Sequence, residues 1–228
     1  MKKKVAIFDI DGTIFRSSLL IELIQAMIGA GIFPASITKS YSKEYKAWLD
    51  RRGPYEKYIN KVIFAFRREI KGVDYKKFAA VTKRVARFHQ NRVYRFTRDL
   101  IQDLKKRGYY LLAISHSPKE AVQAFGKGLG FDKIYGTIGE EDSKRKFTGK
   151  VLYEDFIFDK AKVLERAVEK ENLTLDGSVG VGDTESDIPF LKMVGRPICF
   201  NPNKKLYDYA RRAGWEIVVE RKDVIYKI

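Results

Sequence analysis

Five short apolar runs constrain this chain more than any other feature. Lys4–Asp9 (KVAIFD), Tyr109–Ser115 (YYLLAIS), Ser178–Gly182 (SVGVG), Pro197–Phe200 (PICF) and Glu216–Val219 (EIVV) are nearly continuous in hydrophobicity. Runs of this kind are strands buried on both faces, as at the centre of a parallel sheet. Helical stretches lie between them, over 92–107, 118–128, 159–171, 187–194 and 204–213. Strands alternating with helices imply βαβ units and an α/β fold. Gly108 after Lys105, Lys106 and Arg107 is a helix stop, with cations at the negative end of the dipole. Pro118 suits a first helical position behind Ser117, an N-cap residue type.

The exception is the stretch 16–91, which carries helical periodicity and almost no strand signal. Breaks near Gly29–Pro34, Gly53–Pro54 and Gly72–Asp74 divide it into about four helices. The expected division is therefore a body of 1–15 and 92–228 with a helical insertion of 16–91. A second insertion, Ile134–Val151, has short extended runs around KRKFTG and suggests a small hairpin beside the core.

Composition excludes several classes. Hydrophobic residues make up 45% of the 228 and aromatics 13%, too many for a disordered chain. A single cysteine, Cys199, excludes a disulfide framework within the chain. No apolar run approaches the roughly 20 residues of a membrane span; Leu19–Phe33 is short and broken by Glu22 and Gln25. The opening lysines mimic a secretory leader, but Asp9 and Asp11 cut its apolar run off, so no signal peptide and a cytoplasmic protein are expected. The formal net charge is +16. Most of the excess lies between Pro34 and Arg107, where 21 lysines and arginines face 7 acids. The charge thus belongs mainly to the helical insertion and the helix after it.

The candidate chemistry sits where strands end. Asp9-Ile10-Asp11-Gly12-Thr13 closes the first strand, at the edge where open α/β sheets bind ligands. Residues two apart on a strand point the same way, so both carboxylates reach the crevice, where they repel unless a cation or proton is shared. Gly12 permits a sharp turn and leaves its backbone N–H open to an anion. Taken alone, the segment also reads as an ordinary Asp-Gly turn. Gly182-Asp183-Thr184-Glu185-Ser186-Asp187 follows a second strand, and taken alone Asp187 reads as a helix cap. Two strand ends that both present carboxylates suggest a shared hard cation, and few carboxylates with room for water suit Mg²⁺. Ser115-His116-Ser117-Pro118 offers a hydroxyl and free N–H groups at a helix start, an anion site. A Ser–His catalytic arrangement is disfavoured there, because neighbours on a strand end point apart and the G-x-S-x-G pattern is missing. Lys160 opens a helix, where a cation opposes the dipole unless an anion holds it, and Lys162 is its rival for that role. His89, in a basic helical stretch, reads as a surface residue.

Together these segments resemble the haloacid dehalogenase superfamily of phosphatases, whose four motifs occur here in order: DxDGT at Asp9–Thr13, a serine after the second strand at Ser115, a helix-opening lysine at Lys160, and GDxxxD at Gly182–Asp187. The segments ISHSPKEAVQAFGKGLGFD, EEDSKRKFTGKV and VGDTESDIPFLKMVGRPICFNPNKKL are similar to the phosphoserine-phosphatase-like branch, subfamily IB. The resemblance implies a three-layer Rossmann-like core with a central parallel sheet and a helical cap of type C1 inserted after the first strand. It implies a phosphomonoester hydrolase in which Asp9 is the nucleophile and Asp11 the general acid and base. Mg²⁺ would be held by Asp9, the Asp11 carbonyl and Asp183, with Asp187 acting through the metal's waters. Ser115, the Gly12 N–H and Lys160 would hold the phosphoryl group. True phosphoserine phosphatases carry a glutamate at the position of Ser18; here the nearest acid is Glu22, one helical turn on. The resemblance therefore carries a small phosphorylated metabolite as substrate and leaves phosphoserine specificity open.

The competing reading is a nucleic-acid or anionic-membrane binder that uses the basic insertion, with hydrolysis secondary or lost. Its motivation is the aromatics among the lysines: Tyr41, Tyr45, Trp48, Tyr55, Tyr58, Phe64, Phe66 and Phe78. The alternative for these rings, and the favoured one, is the insertion's own core and its seam with the body. On that reading nucleic acid is not a partner, a membrane surface is at most a weak one, and the basic field serves substrate access.

Overall fold

The first apolar run forms β1 (Lys3–Phe8) in a computed structural model that describes residues 2–228. Val5 and Ile7 are buried on one face of the sheet, Ala6 and Phe8 on the other. Successive strand side chains point to opposite faces, so a strand covered on both sides is apolar throughout. Helices α1 (Leu19–Gly29), α2 (Ser42–Leu49), α3 (Tyr55–Glu69) and α4 (Tyr75–His89) follow, and α5 (Arg95–Lys106) leads back to β2 (Tyr110–Pro118). Next come α6 (Lys119–Gly126), β3 (Lys133–Glu141), β4 (Phe147–Leu152), the short α7 (Glu154–Ile157), α8 (Lys160–Lys170) and β5 (Leu173–Gly182). The chain closes with α9 (Ile188–Leu191), β6 (Arg196–Phe200), α10 (Lys204–Ala213), β7 (Glu216–Arg221) and β8 (Val224–Lys227).

The strands form one sheet in the order β4-β3-β2-β1-β5-β6-β7-β8, parallel except for β4 and β8 at its edges. Ile101 and Leu104 of α5 and Val122 and Phe125 of α6 cover one face. Val163 and Leu164 of α8 and Leu206 and Ala210 of α10 cover the other. β1 lies between β2 and β5, with Phe8 opposite both Ala113 and Val181. The strand order reverses there, so the loops after β1, β2 and β5 open into one crevice.

Helices α1–α4 build a third core from Leu23, Met27, Val62, Phe78 and Val85, with Phe147 of β4 joining them. Asp74 starts α4 by accepting from the N–H groups of Lys76 and Lys77 at 2.9 and 3.1 Å. Of the eight aromatics among the lysines, Phe64 is the one turned mostly to solvent. The others pack in this core or line the cavity beneath it.

Three expectations change. The second insertion forms the expected hairpin, β3 antiparallel to β4 with Ile138 opposite Leu152, but it does not stand beside the core: β3 also pairs with β2, Leu112 opposite Lys133, and widens the sheet. Pro118 does not open a helix behind a Ser117 cap. β2 runs through it, and Pro118 itself is the extended residue before α6, because the Ser117 hydroxyl is used elsewhere. β8 was not expected, since a short, mostly exposed edge strand carries little apolar pattern.

Phe78 is 2% exposed and meets Phe147 edge-on at 4.9 Å. Phe78→Ala is expected to lower stability by about 3–5 kcal/mol, read by urea unfolding.

Candidate active site

Asp9 is the first residue past β1, and its N–H still donates to the Val181 carbonyl at 2.9 Å. The residue is 5% exposed. Lys160, the first residue of α8, reaches across the crevice and donates to Asp9 Oδ1 at 2.6 Å and Asp187 Oδ1 at 2.5 Å. Asp159 starts α8 by accepting from the N–H groups of Ala161 and Lys162, so the helix end does not depend on Lys160. Lys162 pairs with Asp159 outside the site. Burial alone would push the Lys160 ammonium down, but Asp187 and Asp9 more than offset it and hold it above its usual value. Burial pushes Asp9 up to about 7, opposed by Lys160 and assisted by Asp187 and Asp11. Asp9 Oδ2 has no hydrogen-bond partner.

Asp183 follows β5 and faces Asp9; burial first, then Asp9 and Asp187, raise it well above an ordinary carboxylate. The site requires glycine at position 12, because φ is +84° there and a Cβ would overlap Asp183 Oδ2. The Gly12 N–H is not open to an anion, which corrects the sequence reading. It donates to the carbonyls of Phe15 and Ser17 at 3.0 and 3.1 Å, because the loop folds back on itself.

Asp11 is held from three sides. Its Oδ1 accepts the Leu19 N–H at the start of α1, and its Oδ2 accepts the hydroxyls of Ser115 at 2.7 Å and Ser117 at 2.8 Å. Burial raises this carboxyl while those three bonds oppose the rise. Ser117 escaped the sequence reading as a site residue. The signal was available, since it stands two positions after Ser115 on one strand and therefore on the same side.

Asp187 stands behind the crevice. Its Oδ1 takes Lys160, and its Oδ2 accepts the N–H groups of Asp183 and Thr184 at 3.0 and 3.1 Å. Both oxygens accept hydrogen bonds and the residue is fully buried, so it holds Lys160 and the loop after β5 in place. His116 Nε2 is buried without a partner, and burial followed by Lys160 pushes the ring down to about 3. The imidazole is neutral at physiological pH, and the Ser115 hydroxyl bonds Asp11, so there is no Ser–His pair. His89 is not a free surface group: its Nε2 lies 3.3 Å from Glu22 and its ring meets Phe15 edge-on.

A cavity of about 1180 Å³ opens above these loops, roofed by residues of α1–α3. It has room for a sizeable small-molecule ligand. Lys205 spans its seam, 2.6 Å from Glu56 on α3 and 2.8 Å from Glu185. Burial alone would raise Glu185, but Lys205 and Asn203 bring it down to about 2. These partners meet across distant segments and left no local signal in the sequence.

Among the described residues no group of three or more His, Cys, Asp or Glu side chains forms a metal cage. Asp9 and Asp183 instead bring two carboxylates together, the charge of Asp9 helping to raise Asp183, a sparse set that suits a hard cation completed by water and ligand oxygens. Mg²⁺ fits these residues.

A family model described as haloacid dehalogenase-like hydrolase matches residues 6–192. The chain is 30% identical to the "Inhibition of morphological differentiation protein" of Streptomyces azureus over 129 residues, 55% of this chain and 46% of that protein. It is 24% identical to a phosphoserine phosphatase of Methanocaldococcus jannaschii over 98% of this chain and 95% of the other. A solved structure described as the phospho-aspartyl intermediate analogue of phosphoserine phosphatase superposes with a TM-score of 0.65 at 24% identity, covering 98% of this chain and 96% of that one. The chain spans less than half the length of the first curated relatives it matches.

Removing the Lys160 charge strands two buried carboxylates. Lys160→Met is expected to cost about 3–5 kcal/mol in metal-free buffer. Adding Asp187→Asn should recover part of that loss, read by urea unfolding of the single and double variants.

Proposed function

The chain belongs to the haloacid dehalogenase-like hydrolase family, and from that membership we propose that it is a Mg²⁺-dependent phosphomonoesterase that works through an aspartyl-phosphate on Asp9. The observation that carries the reading is the asymmetry of Asp9: one oxygen is held by Lys160 and the other is unpaired. Asp9 Oδ2 attacks phosphorus as the bond to the leaving oxygen breaks, and the Asp11 carboxyl gives that oxygen its proton. Asp11 then takes a proton from water, the water oxygen attacks phosphorus, and the bond to Asp9 breaks to release inorganic phosphate. The Ser115 and Ser117 hydroxyls donate to Asp11 when it is ionised and can accept from it when it is protonated, so the same contacts serve both half-reactions.

Asp9, Asp183 and the Asp11 backbone carbonyl would hold Mg²⁺, which when bound supplies positive charge against the phosphate. Lys160 balances the negative charge of Asp9 from the other side. Asp187 positions Lys160 and the Asp183 loop. Ser115 is placed to turn toward a phosphoryl oxygen when Asp11 is protonated.

In this reading 16–91 is the cap and 1–15 with 92–228 the catalytic core. Arg67 on α3 pairs with Glu154 on α7 at 2.7 Å, which with Lys205 holds the cap down and keeps bulk water from the transfer. The likeness to a phosphoserine phosphatase suggests a small phosphate ester as substrate. Glu22 does not stand in for the missing glutamate: Ser17, Arg92 and His89 occupy it, and it does not face the cavity. Among the described residues no helix is long and apolar enough to cross a membrane, and we place the reaction in the cytoplasm. The inward packing of most cap aromatics favours this reading over a polyanion-binding surface.

Hydrolysis of ethyl phosphate should require Mg²⁺ and fall to background in Asp9→Asn. Asp11→Asn should lose about 10²- to 10⁴-fold in kcat. Mg²⁺ should raise the Tm of the wild type and leave that of Asp183→Asn unmoved. Equal rates for wild type and Asp9→Asn would refute the mechanism.

A further inference from the structure

The cavity is larger than a three-carbon phosphate ester needs, and its far wall is aromatic. Tyr45, Trp48 and Tyr55 line it. Buried Tyr58 backs them, stacked on Trp48 at 5.7 Å and 15°. Tyr55 meets Trp48 edge-on at 5.4 Å. The rings brace one another, so they present a rigid face that a planar ligand can cover at little entropic cost. The face also reaches the chemistry, because Tyr55 lines the same cavity as Asp9, Asp11 and Asp183.

The charges on the wall are unbalanced. Arg16, Lys39 and Arg51 line the cavity, and among the described residues none pairs with a carboxylate. Arg51 holds a left-handed backbone, φ +59°, which a non-glycine residue rarely adopts. The remaining acids of the wall, Glu56 and Glu185, share the Lys205 ammonium. An ammonium on the leaving group therefore finds no carboxylate to receive it, whereas a second anion finds three cations.

Building on the phosphatase reading, we propose that the substrate is a phosphate monoester whose alcohol carries a planar aromatic or heteroaromatic ring and a second negative charge. The ring lies against Trp48 and Tyr55, and the anion is held by Arg51 and Lys39.

The test compares four primary-alcohol esters of similar leaving ability with Mg²⁺: ethyl, benzyl, 4-carboxybenzyl and 4-(aminomethyl)benzyl phosphate. Benzyl phosphate should exceed ethyl phosphate in kcat/KM by about tenfold, the effect of one good stacking contact. The carboxyl group should add to that preference and the aminomethyl group subtract from it. Trp48→Ala should collapse the benzyl-to-ethyl ratio. Lys39→Gln with Arg51→Gln should abolish the carboxybenzyl advantage and keep the benzyl-to-ethyl ratio. Each ratio is taken within one protein, so a partly misfolded variant still reports it. Ethyl phosphate turned over as well as the benzyl esters, or preference for the aminomethyl ester, overturns this inference and leaves the phosphatase reading standing. Hydrolysis of none of the four overturns both.

Discussion

A buried lysine between two buried carboxylates organises this molecule. Lys160 is 2% exposed, and an isolated ammonium at that depth would be neutralised. Asp9 and Asp187 keep it charged. That requirement links three separate parts of the chain: the end of β1, the start of α8 and the loop after β5. Asp187 carries the linkage further, because its second oxygen holds the N–H groups that aim Asp183. The triad also leaves Asp9 with one committed oxygen and one free, the polarity a nucleophile needs.

The insertion is coupled to the same centre through Asp11. One of its oxygens caps the first turn of α1, and the other gathers two serines of β2. The residue proposed to move protons is thus also the residue that ties the insertion's first helix to the sheet. The cap's apolar residues then divide between two tasks. Leu23, Met27 and Phe78 close its own core, while Trp48 and Tyr55 face the cavity. Its lysines and arginines mostly face solvent, and Arg16, Lys39 and Arg51 carry part of the chain's positive charge to the cavity.

Much of this was legible from residue order. The KVAIFD and SVGVG runs read as doubly buried strands because β1 and β5 lie at the middle of a two-faced sheet. The helices of the insertion were legible from their Gly and Pro breaks. Other features were not. The Gly12 N–H reads as free until the loop is seen to fold onto Phe15 and Ser17. Asp187 reads as a helix cap until its two oxygens are seen to hold Lys160 and the Asp183 N–H. Glu22 stands one turn from Ser18, but its direction depends on Arg92 and His89, at the far end of the insertion.

The sequence by itself determined the layered α/β core, the helical insertion and the set of acids at strand ends. Hydrophobic period, helix stops and strand-end motifs are local, and local order is enough to read them. Only the tertiary structure decided which oxygen of Asp9 stays free, that Ser117 joins Asp11, and that the cap's aromatics form a cavity wall. Those facts rest on partners far apart in the chain, 106 residues for Ser117 and Asp11 and 151 for Lys160 and Asp9. A hydrogen bond commits an oxygen only once packing has brought its donor within about 3 Å.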